Sequence, residues 1–131
     1  MLKLILQNTN GPLPTSTYKL LNNGTEVGMI QIRHQPSHSQ EVPSHFSNHI
    51  YYEIKPEFRG QGFGTEILKL GIEEAKKIGL KKIVVTCYEE NIASKKIIEN
   101  NGGILVDKCV LTDEKVFLKY EIKVSGQLLD F

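Results

Sequence analysis

Residues 59–65 read Arg59-Gly60-Gln61-Gly62-Phe63-Gly64-Thr65, and this glycine-rich stretch decides how the chain is interpreted. It joins a strand-like segment, His49–Lys55, to an amphipathic segment, Gly64–Ile78. Alternating glycines let the backbone turn tightly and approach a ligand closely. The N–H groups in the first turn of a helix carry a partial positive charge, and Arg59 adds a full one. The stretch is therefore suited to hold a phosphate or a pyrophosphate.

Two common phosphate-binding loops do not fit this stretch. A Walker loop ends in Gly-Lys-Ser/Thr, whereas Thr65 and Glu66 follow Gly64 here. A Rossmann loop has a third glycine where this chain has Ile67. A tight turn that binds no ligand stays open as an alternative on composition alone.

Periodicity predicts that strands and helices alternate around the glycine stretch. Apolar side chains recur on one arc of Gly64–Ile78 and charged ones on the other, which predicts a helix that ends at Gly79. The centre of Lys81–Cys87 is continuously apolar, which favours a strand covered on both faces, as in a parallel pair. Asn91–Asn101 is predicted to be a second helix, because Gly102-Gly103 follows its last turn.

The flanking segments are predicted to be strands and loops, in an overall order β, ββ, β-α-β, α, ββ. Asn22-Asn23-Gly24 indicates a hairpin, since Asn-Gly suits a two-residue turn. Glycine and proline favour loops at Asn8–Ser16 and, with four serines, a mobile loop at Gln35–Asn48. The predicted strands are Leu2–Leu6, Thr17–Leu21, Glu26–His34, His49–Lys55, Lys81–Cys87, Ile104–Val110 and Val116–Val124, and the tail Ser125–Phe131 has no assigned state. This order predicts a mixed sheet with helices packed on it.

Composition limits the class of protein. A length of 131 residues suits one domain, and 40% hydrophobic with 24% charged residues is typical of a soluble globular protein. A net charge of +1 argues against a nucleic-acid partner, and the apolar runs are far shorter than the ~18 residues of a membrane span. Lys3 interrupts the apolar N-terminus, so no signal peptide is expected. Cys87 and Cys109 are too few for a disulfide framework, which favours a cytoplasmic protein with free thiols.

The segment Pro56–Gly64 resembles the Arg/Gln-x-x-Gly-x-Gly/Ala signature of the GNAT N-acetyltransferases. In that family the signature binds the pyrophosphate of acetyl-CoA. A second part of the chain, Asn91 through Gly103, resembles another element of this family. That element is an Asn after the next strand, followed by a helix. The resemblance runs from about Thr25 to Val124. Within the family, the sequence is similar to an uncharacterised bacterial branch. It implies an α/β (α+β) fold: a single domain over 1–131 with a GNAT-like mixed, largely antiparallel sheet and helices on its faces.

The resemblance also implies that acetyl-CoA binds as a co-substrate, to a core of residues about 49–110. For Asn91 and Ser94, helix capping stays open as an alternative role. The residues expected to contact the cofactor are Ile54, Arg59, Gly60, Gln61, Gly62, Phe63, Gly64, Thr65, Asn91 and Ser94.

The implied reaction is direct acetyl transfer from acetyl-CoA to a primary amine of a small molecule or a protein. An amine with a pKa near ~10.4 must first lose a proton, which calls for a base. Glu53 and His49 share one face of their strand and are the catalytic candidates, while Tyr52 and its even-numbered neighbours are expected to face the core. A solvated carboxylate and a structural histidine are the alternatives for the two residues. The resemblance places a backbone N–H of a splayed strand end, around Tyr52–Ile54, at the thioester.

The chain departs from the family where many members carry a tyrosine as general acid, seven residues after the Asn. Ile98 occupies that position and cannot donate a proton. Tyr88 is an alternative proton donor to the leaving thiolate of CoA. Cys87 is an alternative as a nucleophile that would carry the acyl group. The alternative function is a catalytically weak CoA-binding module with a regulatory or assembly role.

A second departure is the missing or reduced pair of helices that family members carry between their first strands. Gln7–Ser16 is too short and too rich in proline for them, which would leave a sheet face bare. Gln35–Asn48 offers only Val42 and Phe46 as large apolar anchors to cover it. We therefore expect a homodimer, or else a macromolecular acceptor.

A metal site is not expected from the histidines. They form two pairs with a spacing of four residues, but a proline interrupts the first pair and the second pair enters a strand, so neither is a helical chelate. The four are His34, His38, His45 and His49.

Overall fold

The computed structural model of the chain describes residues 1–10, 14–37 and 46–124. The strands and α-helices follow the predicted order with different bounds, and a short 3-10 helix that was not predicted follows the fourth strand. They are β1 (Leu2–Asn10), β2 (Thr15–Asn22), β3 (Thr25–Ser37), β4 (Asn48–Ile54), a 3-10 helix (Pro56–Phe58), α1 (Phe63–Ile78), β5 (Lys82–Tyr88), α2 (Ile92–Asn100), β6 (Ile104–Val110) and β7 (Val116–Lys123).

The strands form two antiparallel sheets, in the orders β1-β2-β3-β4 and β5-β7-β6. The prediction of a parallel partner for β5 is wrong, because β5 pairs antiparallel with β7 from Lys82 to Tyr88. The prediction that β5 is covered on both faces is confirmed, since Ile83, Val84 and Val85 are all buried. Burial on both faces therefore arises here from packing between layers and not from a parallel ladder.

The predicted hairpin between β2 and β3 is confirmed by its turn. Asn23 has φ 51° and Gly24 has φ 87°, and Asn22 pairs with Thr25. Two successive positive φ angles are what a type I′ turn requires, and Asn-Gly provides them at little steric cost.

The loop predicted at Asn8–Ser16 is shorter than expected. β1 continues to Asn10 and β2 begins at Thr15, with Thr9 opposite Ser16 in their ladder. Strand pairing satisfies these backbone groups in spite of their polar side chains, which the local pattern could not reveal. The described part of this segment forms no helix, as predicted, and residues 11–13 lie outside the described residues.

The loop predicted at Gln35–Asn48 is also too wide. β3 extends to Ser37, and Ser37 pairs with Asn48 at the start of β4. Phe46 is buried and packs against Phe117 of β7 at a ring-centroid distance of 6.1 Å. The other predicted anchor, Val42, lies with His38 and His45 in residues 38–45, outside the described residues, as does the tail 125–131.

Helix α1 packs closely on the first sheet. Its buried face contains Ile67, Leu68, Gly71 and Ala75, as the periodicity predicts. A Cβ on Gly71 would lie 2.6 Å from Cδ1 of Ile30 on β3, so this glycine lets the helix approach the sheet. The approach fixes where the first turn of α1 stands relative to β4.

The two sheets are joined by side chains at the start of β4. Nδ1 of His49 accepts the backbone N–H of Val84 at 3.0 Å, and Nδ2 of Asn48 donates to Oγ1 of Thr86 at 2.8 Å. Arg33 donates to Oδ1 of Asn48 at 2.6 Å, which orients the amide. No backbone ladder joins β4 to β5 in the described residues. These side-chain bonds therefore hold the start of β4 against β5.

We predict that His49 makes the stability of the protein sensitive to acid. Burial, together with the charges of Arg33 and Lys82, lowers the pKa of His49 below its usual value of 6.5. The unfolded chain therefore takes up this proton at a higher pH than the folded chain, so the free energy of unfolding falls as the pH drops below ~6.5, by up to about 1.4 kcal/mol per pH unit. His49→Asn retains an acceptor for Val84 and should flatten the fall between pH 7 and pH 5 in urea titrations.

The control for this experiment is Thr86→Val, which removes the neighbouring bond without changing a titrating group. It should lower the free energy of unfolding at every pH and leave its pH dependence unchanged. An equal pH dependence in wild type and His49→Asn would contradict the prediction.

Candidate functional site

A cavity of about 630 Å³ opens between the end of β4, the first turn of α1 and helix α2. Its volume is within the range of small-molecule sites, roughly 300–1,000 Å³. The lining residues are Tyr51, Tyr52, Glu53, Ile54, Phe58, Arg59, Gly60, Gly62, Phe63, Gly64, Thr65, Asn91, Ala93, Ser94, Lys96, Ile97 and Asn100.

The cavity brings together most of the residues predicted from the sequence. Every residue expected to contact a cofactor lines it except Gln61, which is exposed beside it. Of the two catalytic candidates, Glu53 lines the cavity and His49 does not. The cavity also contains Lys96 and Asn100, which the sequence reasoning missed because a helix surface of mixed charge gives no local signal.

The glycine loop ends as the start of α1. Gly60 and Gly62 have φ angles of 79° and 86°, and Gly62 is the N-cap of α1. The first helical bond runs from the N–H of Glu66 to the carbonyl of Gly62, so the N–H groups of 63–65 have no carbonyl partner within the helix. A Cβ on Gly60 or Gly62 would meet no protein atom within 4 Å, so the loop borders open space.

Gly64 has a different role from the other two glycines. A Cβ at this position would lie 2.4 Å from Cδ1 of Ile97, so Gly64 allows α1 and α2 to approach each other. Asn101, just after α2, strengthens this contact, because its Nδ2 donates to the carbonyls of Thr65 at 3.1 Å and Ile97 at 2.9 Å. The sequence reasoning placed Asn101 only at the helix end and missed this bond.

Two cations line the cavity. Nε of Arg59 donates to the carbonyl of Ile54 at 3.0 Å, which holds the guanidinium against the end of β4. Lys96 lies on the facing helix. The N–H groups in the first turn of α1 make that end of the cavity suited to an anion, and the two cations add positive charge to the lining.

The other end of the cavity lies where β4 faces the start of α2. Asn91 caps α2, since its Oδ1 accepts the N–H of Ser94 at 3.1 Å. The hydroxyl of Tyr52 donates to Oγ of Ser94 at 3.4 Å. Burial raises the pKa of Tyr52, which keeps the phenol protonated. The expectation that Tyr52 belongs to the core is thus only partly right, because its half-buried ring also borders the cavity.

The remaining chemical candidates lie outside the cavity lining. His49 is buried, and its Nδ1 is occupied by the N–H of Val84. Ile98 is fully buried in the core. Burial raises the pKa of Cys87 to about 11, so its thiol stays protonated at neutral pH. Tyr88 packs edge-on against Phe117 at a centroid distance of 5.1 Å.

Among the described residues, no three His, Cys, Asp or Glu side chains come together as a metal site. Of the two histidines with described contacts, His34 bonds to Ser16 and His49 to Val84. No helix in the described ranges has both the length and the apolar character needed to cross a membrane.

Solved structures resemble the chain in fold. An acetyl transferase from Salmonella typhimurium that modifies the N-terminal serine of ribosomal protein L7/L12 is 17% identical, with a TM-score of 0.67 over 85% of this chain and 64% of its own. YncA, a putative acetyltransferase from Salmonella typhimurium solved with acetyl-CoA, is 16% identical, with a TM-score of 0.66 over 86% and 66%. The ribosomal L7/L12 acetyltransferase RimL, solved with CoA, is 17% identical, with a TM-score of 0.64 over 83% and 62%. The chain thus spans less than two-thirds of the length of each.

Sequence comparison identifies the family directly. No curated protein matches the chain. The profile of the acetyltransferase (GNAT) domain, however, matches residues 5–104, which include β4, the glycine loop, both helices and every residue that lines the cavity. Because this match covers most of the sequence, the chain belongs to the GNAT acetyltransferase domain family.

Proposed function

We propose that the protein transfers an acetyl group directly from acetyl-CoA to a primary amine. The observation that carries the proposal is the cavity itself, whose lining combines the first turn of α1, two cations, Arg59 and Lys96, and a carboxylate, Glu53. Such a cavity offers an anion site for the cofactor and a base for the acceptor. The CoA and acetyl-CoA bound to two structural relatives support the choice of cofactor.

The pyrophosphate of the cofactor would lie at the first turn of α1. The N–H groups of Phe63, Gly64 and Thr65 face it, and Arg59 and Lys96 supply positive charge. Gln61 is exposed next to this end and remains a proposed contact.

The pantetheine arm would run along the end of β4. This strand is an edge of its sheet in the described residues, so outward backbone groups around Ile54 can pair with the arm as an added strand would. Asn91 and Ser94 lie on the facing wall, where the amide Nδ2 and the hydroxyl can bond to it. The thioester would then lie near Tyr52 and Glu53.

We assign the acceptor side to Glu53, whose exposed carboxylate lines the cavity. Only the neutral amine can attack the thioester, and a carboxylate in contact with the nitrogen can take the proton that the nitrogen loses as the C–N bond forms. A protein amine is the favoured acceptor, because one structural relative modifies an N-terminal serine and another, the NatC complex, was solved with a bound peptide. Transfer is direct, since Cys87 is buried and its thiol stays protonated.

We also propose that two copies associate, and that β6 supports the contact. Within residues 1–10, 14–37 and 46–124, β6 is an edge strand, and it has exposed apolar side chains at Ile104, Val106 and Val110. Covering such a strand favours association. Light scattering at micromolar concentration should therefore give twice the mass of the 14.8 kDa chain, and Val110→Lys should shift the protein toward the monomer. A strict monomer for the wild type would contradict association.

We predict that Gly62→Val abolishes acetyl-CoA binding in a folded protein. A side chain at Gly62 would project into the space beside the first turn of α1, where the pyrophosphate is proposed to lie. For the wild type, acetyl-CoA at 100 times its dissociation constant should add about 2.7 kcal/mol to the free energy of unfolding, which a thermal-shift series measures.

Gly79→Val is the matched control for the loss of binding. Gly79 ends the same helix with φ 104°, and a Cβ there also meets no atom within 4 Å. The control therefore carries a similar backbone strain away from the cavity, and it should lose stability but keep the shift with acetyl-CoA. Unchanged affinity in Gly62→Val would contradict the proposed position of the pyrophosphate.

We predict that Glu53→Gln lowers turnover about 10²–10⁴-fold and leaves acetyl-CoA affinity nearly unchanged. Turnover is measured as free CoA thiol released with a panel of amines and peptide N-termini. Glu57→Gln removes a nearby exposed carboxylate that does not line the cavity, and it should retain full turnover. Acetyl-CoA binding by the wild type without thiol release from any amine would instead favour the CoA-binding module.

A further inference from the structure

We propose that Tyr52 donates the proton that the sulfur of CoA receives as the C–S bond breaks. This inference rests on the proposed function and names a catalytic residue for it. It starts from the position of Tyr52 on β4, where its hydroxyl contacts Oγ of Ser94 on α2.

The contact with Ser94 locates the phenol within the cavity. α2 lies along the cavity, since its end is bonded by Asn101 to Thr65 in the first turn of α1 and its start faces β4 through Ser94. The phenol is therefore at the end opposite the anion site. A cofactor whose pyrophosphate lies at α1 and whose arm follows β4 presents its thioester at this end.

The reaction needs a proton donor at this point. The amine nitrogen forms a bond to the carbonyl carbon, and the C–S bond then breaks with its electron pair on sulfur. A thiolate has a conjugate-acid pKa near ~8.5 in water, and burial raises that value, so a proton is gained as the bond breaks. Tyr52 supplies this proton, the nitrogen gives its own to Glu53, and solvent returns a proton to the phenolate and takes one from Glu53.

The other lining hydroxyls fit this role less well. Tyr51 is 47% exposed on the opposite face of β4. Thr65 lies in the first turn of α1, at the anion end. Ser94 accepts the bond from Tyr52, and an aliphatic alcohol is a weaker acid than a phenol. The half-buried phenol of Tyr52 combines its position beside Ser94 with a proton to donate, because burial raises its pKa and the group is protonated at neutral pH.

Tyr52→Phe tests the inference, with Tyr88→Phe as the matched control. Tyr88 lies outside the cavity lining, and phenylalanine keeps its ring contact with Phe117. Loss of the proton donor should lower kcat about 100-fold, at the low end for general acids because a thiolate is a good leaving group. The dissociation constant of acetyl-CoA should change less than about threefold, on the scale of one weak hydrogen bond. Tyr88→Phe should keep wild-type kcat.

A second measurement separates proton donation from a structural role. A fluorinated tyrosine at position 52 keeps the ring and the hydroxyl bonded to Ser94, but its phenol is more acidic. The decline of kcat at alkaline pH should therefore move to lower pH, and this variant reports even if Tyr52→Phe does not fold. A pH profile identical to that of wild type, or near-wild-type kcat in Tyr52→Phe, would overturn the inference and leave the proposed function standing. A wild type that releases no thiol with any amine would overturn both.

Discussion

The hydrogen bond from the N–H of Val84 to the buried Nδ1 of His49 joins two sheets whose facing strands share no ladder in the described residues. With the bond from Asn48 to Thr86, it fixes the start of β4 against β5. The end of β4 is then not paired with β5, and the cavity opens beside it. A continuous ladder would have used the backbone groups that are proposed here to hold a cofactor. The site thus depends on β4 being bonded to β5 only through its first residues, Asn48 and His49.

Helix α1 completes the site, because two glycines let its backbone lie close to neighbouring side chains. Gly71 brings the helix down onto Ile30, and Gly64 brings its first turn against Ile97 of α2. Larger residues at either position would move the start of α1 away from β4. The left-handed residue Gly62 then turns the chain into the helix, so that the first-turn N–H groups face the cavity. Within this short segment, Gly64 is therefore required for packing against α2, and Gly62 is required for its left-handed backbone conformation.

The sequence was most informative where structure is determined locally. The end of α1 at Gly79, the Asn-Gly hairpin and the cap at Asn91 follow from periodicity, turn chemistry and capping, and all are present. The roles of His49 and Tyr52 could not be predicted in the same way. Alternation along β4 puts His49 on the face of Tyr51 and Glu53, which are exposed, whereas His49 is buried. The pattern also cannot show that Val84 occupies the imidazole or that Ser94 meets the phenol, because both partners come from distant segments.

The double hydrogen bond from Asn101 to the carbonyls of Thr65 and Ile97 has a consequence for recognition. The bond to Ile97 lies within the end of α2 and orients the amide, and the bond to Thr65 fastens α2 to α1. One wall of the cavity therefore cannot hinge away from the other without breaking the bond to Thr65. A ligand that enters such a preorganised groove immobilises few additional protein groups, and little of its binding free energy is lost to conformational entropy. Changes in the contacts that line the groove should then act mainly on residence time, with little effect on the rate of encounter.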